Sequence, residues 1–412
     1  MLHRDEVLQL MDSTIGIYIH IPFCVKKCPY CDFNSLATAH VPDKYIDAVL
    51  KELLTHVKKN PAITSKELET VYIGGGTPSL VSHNNLKRLI QVVKQTFLAQ
   101  QRLEITVEIN PGSVTEEWLY AIKDIGINRL NIGVQSFSNN TLKSLGRIHS
   151  AEDALRCYEY ARRAGFDNVG IDFIFGVMNQ SLKEWEKDLG LAISLRPEHI
   201  SIYNLTIEPG TQFYKLQKNG KLTLPSEEGE ILMYEDAIDK LISAGYNQYE
   251  ISNFSINGFE SRHNLRYWLL LDYIGLGAGA HSYISSSDRD VQRRGPDRSL
   301  QGQASNLGVR WWNVEGPDVY MHRIQDAGLA IAGEERLTRQ EAIEEGIFLG
   351  LRKTRGIDDD WFSMRFNKTL KDLYLPVIER LRKQGLICEQ GNNIRLTRRG
   401  VLMSNEVFLQ FV

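Results

Sequence analysis

Cys24, Cys28 and Cys31 are three thiols spaced C-x3-C-x2-C within eight positions. A [4Fe-4S] cluster normally takes one cysteine per iron, four in all, so three leave one iron without a protein ligand. An open coordination position is what lets a small molecule bind a metal and react there. A structural zinc site made from these thiolates with His20 or a distant histidine fits less well, because zinc cysteines usually come in C-x2-C pairs and only one such pair is present. Cys157 lies on a helical pattern beside Leu155 and Tyr158 and reads as a core thiol, and Cys388 reads as structural. This arrangement does not resemble a disulfide framework, and clustered thiols in a reducing compartment more often bind metal.

Other chemistry-bearing residues recur after apolar runs. Gly74, Gly75 and Gly76 precede Thr77 and Pro78, and glycines there let backbone approach a ligand closely. Glu108 ends an apolar run, Gln135 ends the next and Asp172 lies in a third, so their polar groups can converge on one mouth. Further on, Arg262-His263-Asn264 leads to Arg266-Tyr267-Trp268, an H-N-x-x-Y-W pattern. Imidazole is a standard axial ligand of haem iron, Tyr267 and Trp268 offer flat faces for a porphyrin, and Arg262 or Arg266 suits its carboxylates. His20, His149, His199 and His281 compete with His263 for such a role, and His20, four residues before Cys24, is better placed to shape the cysteine loop. The glycines from Gly275 to His281 imitate a dinucleotide fingerprint but lack the βαβ unit and distant acidic residue that it needs.

These residues are positioned by an alternation of strands and helices. Six apolar runs, Ile15 to Ile21, Thr70 to Ile73, Glu104 to Ile109, Arg129 to Val134, Val169 to Phe175 and His199 to Leu205, read as strands buried on both faces. Ile46, Val49, Leu50, Leu53, Leu54 and Val57 make one apolar helical stripe, and Leu86, Leu89, Ile90, Val93 and Phe97 another. The expectation is an α/β fold, a partial (β/α)6 TIM-like barrel. Its active residues would sit at strand C-termini. The chain divides into an extension at 1–14, the barrel at 15–253, a motif segment with a long loop at 254–337, and a winged-helix-like α+β module at 338–412. The loop is expected over Ser285 to Leu307, and the module from helices at Gln340 to Leu351 and Lys371 to Gln384 with a hairpin from Leu386 to Leu396.

The chain resembles the radical SAM superfamily, and more closely its oxygen-independent coproporphyrinogen III dehydrogenase-like branch. The motifs that carry the resemblance are Y-I-H-I-P-F-C at 18–24, C-P-Y-C-D-F-N-S at 28–35, G-G-G-T-P-S at 74–79, G-V-Q-S-F at 133–137 and L-G-R-I-H at 145–149. It implies a [4Fe-4S] cluster on Cys24, Cys28 and Cys31, with S-adenosylmethionine on the open iron. It also implies that Tyr18, Tyr30, Gly75, Gly76, Thr77, Glu108, Gln135, Arg147 and Asp172 line the S-adenosylmethionine site. The dehydrogenases of the branch carry a fourth cysteine two positions after the third, where this chain has Phe33. The H-N-x-x-Y-W pattern belongs to the branch's haem chaperones, so His263, Asn264, Tyr267 and Trp268 are expected to contact haem. The resemblance implies a chaperone delivering haem to respiratory proteins, with the dehydrogenase as the alternative.

A formal charge of −3 over 412 residues gives no sign of a polyanion partner, so nucleic acid is not expected. Met1 to Ser13 holds no signal-peptide core, and no run approaches the ~18 apolar residues of a membrane span. A cytoplasmic protein is expected; peripheral membrane association and a homodimer are left open.

Overall fold

The computed structural model describes residues 13–38, 40–285 and 307–412. The expected extension at 1–14 and the expected loop from Ser285 to Leu307 fall almost wholly outside them.

Six strands run in chain order and pair in parallel with their neighbours: β1 (Thr14–Ile21), β2 (Glu67–Gly75), β3 (Ala99–Ile109), β4 (Arg129–Gln135), β5 (Val169–Phe175) and β6 (His199–Asn204). Helices α1 (Asp43–Lys59), α2 (His83–Thr96), α3 (Glu116–Asp124), α4 (Ala151–Arg163) and α5 (Leu182–Leu195) lie in the successive crossovers, and α6 (Glu227–Ser243) follows β6. The strands are buried on both faces because helices cover the outside while the inside is filled by side chains. In α1, Ile46, Val49 and Leu53 sink into the core, whereas Leu54 is half exposed. Serine caps set the starts of α4 and α5, each as a reciprocal pair, Ser150 with Asp153 and Ser181 with Glu184.

The sheet does not close. It has twelve strands: past β1 it continues through β7 (Tyr273–Leu276), which is parallel to β1, and then through antiparallel β8 (His281–Ser285), β9 (Gly308–Asn313) and β10 (Ile331–Leu337). The flanks of the expected 254–337 segment are thus built into the barrel's own sheet. These strands have four to seven residues, too short to stand out by periodicity among polar neighbours. Helix α7 (Arg262–Trp268) precedes them.

The C-terminal residues form helix Arg339–Arg352, strand Ile357–Asp358, helices Asp359–Phe366 and Leu370–Lys383, and the hairpin Ile387–Gln390 with Asn393–Leu396. These elements, in the order expected of a winged-helix-like module, have their own core around Phe362, Phe366, Leu381 and Phe411. Among the described residues no helix is long and apolar enough to cross a membrane.

Candidate functional site

The three cysteines lie on the loop that leaves β1. The loop folds back on itself: Phe23 and Cys24 pair with Leu36 and Ala37, and the Cys31 amide donates to the Cys28 carbonyl at 3.1 Å. His20 ties it down, with Nε2 2.8 Å from the Asn34 carbonyl and Nδ1 2.8 Å from the Tyr18 hydroxyl. Asn34 in turn donates to the carbonyls of Ala278 and Glu315 at 3.0 and 2.8 Å, anchoring the loop to the segment beyond β7. Cys24, Cys28 and Cys31 all line one cavity of about 430 Å³. Among the described residues no three His, Cys, Asp or Glu side chains converge as a metal-ion site would require; what the three cysteines share is the lining of this cavity.

The same cavity is walled by Tyr30, Gly75, Gly76, Thr77, Glu108, Gln135, Arg147 and Asp172. Gly76 donates its amide to the Ile21 carbonyl at 2.8 Å, and a Cβ there would stand 2.6 Å from the Phe23 carbonyl oxygen. Glycine at 76 is therefore what lets the β2 end lie against the cysteine loop. Gly76→Ala is expected to displace that loop, lowering stability by about 2 kcal/mol and reducing the iron retained on reconstitution; thermal melting and iron analysis check both.

Asn110 links two sides of the wall: it donates to Thr77 Oγ1 at 2.9 Å and accepts from Arg147 Nη2 at 2.7 Å. Arg147 also reaches the Gly133 carbonyl at 3.1 Å and points Nη1 at Cys28 Sγ, 3.7 Å away. Gln135 sits at φ 67°, a left-handed conformation that disfavours a side chain bearing Cβ and that accumulates at functional sites.

Two carboxyls face the interior. Glu108 accepts from Tyr72 Oη at 2.7 Å and from the Gly75 amide at 3.0 Å; burial, reinforced by Asp172, pushes its pKa up to about 7. Asp172 accepts from Asn131 at 2.5 Å, while its buried Oδ1 has no hydrogen-bond partner; burial lifts it to about 6. Arg147 Nε is likewise buried and unpartnered. A polar-walled cavity with these orphaned atoms fits a charged polar ligand such as S-adenosylmethionine beside a cluster. Tyr18 lies beside this wall: its hydroxyl is 2.8 Å from His20 Nδ1 and its ring stacks on that of Tyr72, centroids 6.2 Å apart.

Sequence reasoning missed Asn110, Asn131, Arg129, Ser201 and Tyr203, which also line the cavity. Strand alternation was the available signal, since Asn131, Gly133 and Gln135 share one face of β4, and Ser201 and Tyr203 one face of β6.

The H-N-x-x-Y-W residues occupy α7. His263 is 1% exposed, its Nδ1 2.8 Å from Thr70 Oγ1 and its Nε2 3.0 Å from the Tyr267 hydroxyl, so neither ring nitrogen is open to an external iron in this conformation. Arg266 is fully buried, pairs with Glu69 and donates to the carbonyls of Asp272 and Thr14; Arg262 also pairs with Glu69, at 2.7 Å. Trp268 lies under the Arg352 guanidinium, 4.7 Å away. Asn264 alone of the four motif residues lines the cavity. Among the competing histidines, His149 and His199 are buried and hydrogen-bonded to Val134 and Tyr249. The His281 ring is exposed and stacked on Trp312 with centroids 5.9 Å apart.

The Radical SAM superfamily model matches residues 18–192, and the HemN C-terminal domain model matches 337–403. The "Heme chaperone HemW" of Bacillus subtilis is 38% identical over 96% of this chain and 98% of its own length. The Escherichia coli protein of the same name is 40% identical over 70% of this chain and 76% of its own. Among solved structures, the Escherichia coli coproporphyrinogen III oxidase HemN, described as a radical SAM enzyme, superposes with a TM-score of 0.79 over 100% of this chain and 93% of that one, at 22% identity. At that identity the likeness concerns the fold.

Proposed function

The chain belongs to the HemW family of the radical SAM superfamily, and from that membership we propose that it is a haem chaperone, binding haem and passing it to haem-dependent respiratory proteins. Cys24, Cys28 and Cys31 would hold the [4Fe-4S] cluster, and Tyr30, Gly75, Gly76, Thr77, Glu108, Gln135, Arg147 and Asp172 would hold S-adenosylmethionine. The observation that carries this reading is the single cavity onto which the three cysteines and these wall residues open. A bound cluster of this kind can supply an electron to the sulfonium. The chain's own part is to bind and orient: Glu108 and Asp172 match the ligand's positive charge when ionised, and Arg147 cross-braces Cys28, Asn110 and Gly133.

Phe33 supports the chaperone over the dehydrogenase. It stands where the dehydrogenases of the branch have a cysteine, and 60% of its surface is exposed, so it offers an apolar face and no thiol. For the iron contact we favour His281 over His263. The residue is exposed and its ring lies flat on Trp312, which leaves an imidazole within reach of an external metal.

The test is haem transfer: haem-loaded protein is mixed with an apo-cytochrome b and the Soret band followed. The expected result is movement of haem to the acceptor, with His281→Ala loading haem about tenfold more weakly. Haem that never binds the wild type would overturn the proposal.

A further inference from the structure

Helix α7 fills the inner side of the sheet. Gly16 of β1 has no room for a side chain because a Cβ would stand 2.7 Å from Arg266, and the His263 amide donates to Glu104 of β3 at 3.2 Å. The helix is therefore clamped to β1, β2 and β3 together, through Thr14, Glu69, Thr70 and Glu104. From this fixed point a chain of contacts leads toward the cavity. The His263 ring stacks on Tyr72, centroids 5.2 Å apart and planes 28° from parallel. Tyr72 donates to Glu108 at 2.7 Å. Gly74 makes space for that pair: a Cβ there would meet the Tyr72 ring at 2.9 Å and the Glu108 carboxyl at 3.1 Å.

We infer that His263 is a positioning residue for the cofactor site: its ring holds Tyr72, Tyr72 holds the Glu108 carboxylate toward S-adenosylmethionine, and the H-N-x-x-Y-W helix is the inner support of that site. This rests on the proposed S-adenosylmethionine site and reassigns the motif from haem contact. Two further observations agree. Asn264 and its capping residue Ser261 line the same cavity, so α7 is part of the wall. Burial and Arg266 hold the His263 pKa down at about 3, so the ring is neutral at working pH and acts through its place rather than its charge. Glu108 is faced by Tyr18 from β1, Tyr72 from β2, Asp172 from β5, Tyr203 from β6 and Tyr267 from α7. Of these, Tyr72 hydrogen-bonds it and favours the ionised form, whereas Asp172 opposes ionisation.

The ligand is a cation at its sulfonium, so its affinity rises as Glu108 ionises. Weakening the Tyr72 hydrogen bond moves that rise to higher pH. The experiment measures S-adenosylmethionine affinity by equilibrium dialysis across roughly pH 5.5 to 8.5, a window bracketing the Glu108 ionisation, on the anaerobic, cluster-reconstituted full chain. The proteins are wild type, His263→Phe, His263→Ala, Tyr72→Phe and the His263→Ala/Tyr72→Phe double variant, and haem is titrated into the same samples. His263→Phe, which keeps a stacking ring, is expected to bind within about twofold of wild type. His263→Ala and Tyr72→Phe are each expected to bind about tenfold more weakly, with the midpoint shifted upward. The double variant is expected to be no more than about twofold weaker than the weaker single, as residues acting in one chain are not additive. Haem stoichiometry is expected to stay at the wild-type level throughout. Loss of haem binding in His263→Ala, with S-adenosylmethionine affinity and midpoint unchanged, would overturn the inference. If His263→Ala does not fold, His263→Phe and Tyr72→Phe decide it: a midpoint unmoved in Tyr72→Phe refutes the chain of contacts. A wild type that binds S-adenosylmethionine but no haem would sink the chaperone reading and leave this one standing.

Discussion

Cys28→Ala is expected to reduce the iron and sulfide retained after anaerobic reconstitution to about a tenth of wild type. A cuboidal cluster held by three thiolates already has one iron without a protein ligand, so removing a second anchor leaves it on two corners and open to solvent. Cys28 has a further partner, since Arg147 Nη1 lies 3.7 Å from its sulfur and would face an uncharged methyl group in the variant. Cys24→Ala and Cys31→Ala are expected to behave alike, because all three cysteines line one cavity. Cys157→Ala is the control. That thiol is buried in α4, where burial pushes its pKa up to about 12. Its loss is expected to lower stability by about 1 kcal/mol through a small cavity while the cluster content stays at wild type. Iron analysis and the visible absorption of the cluster read the result.

Glu108→Gln is expected to pull stability and ligand affinity in opposite directions. The folded-state pKa of Glu108 is raised from the ordinary 4.5 to about 7. Its protonated form is therefore favoured by folding: the contribution is fully present below about pH 4.5 and is lost as pH rises through 7. Asp172, raised to about 6, acts in the same direction. A shift of that size corresponds to roughly 3 kcal/mol, reduced to on the order of 2 kcal/mol because Glu108 opens on a cavity that admits water. The variant is accordingly expected to melt higher than wild type at about pH 8 and alike at about pH 5. It is also expected to bind S-adenosylmethionine at least tenfold more weakly, having lost the carboxylate that meets a cation. Melting curves at the two pH values and dialysis at the higher one measure both effects. Binding to the wild type is expected to release protons near neutrality, as a cationic ligand draws both carboxyls into the ionised form.

The frame of the molecule was readable because buried parallel strands are written as uninterrupted apolar runs. All six expected strands occur, with β2 and β3 longer than their apolar centres. The cavity wall was readable where polar residues interrupt or end those runs, as Glu108, Gln135 and Asp172 do. Asn131, Ser201 and Tyr203 were passed over because they sit inside strands read as continuous, where one inward polar residue every second position is easily absorbed. The strands β7 to β10 were missed because each is short and set among polar residues, and because β7 takes its parallel partner from β1, near the start of the chain. The motif on α7 shows the limit most clearly. His263, Tyr267 and Trp268 have the residue types that haem takes, but sequence spacing does not say which way a helix faces. Arg266 and Glu69, 197 residues apart, turn it into the barrel.

The most direct test of haem chaperoning by this chain is an anaerobic haem titration of the cluster-reconstituted protein with S-adenosylmethionine present, followed by product analysis after adding coproporphyrinogen III and a reductant. Saturable haem binding at a fixed ratio to the chain, with no protoporphyrinogen, is the expected result. Sustained conversion of coproporphyrinogen with no haem bound would contradict it and identify the protein as a radical SAM enzyme of porphyrin synthesis.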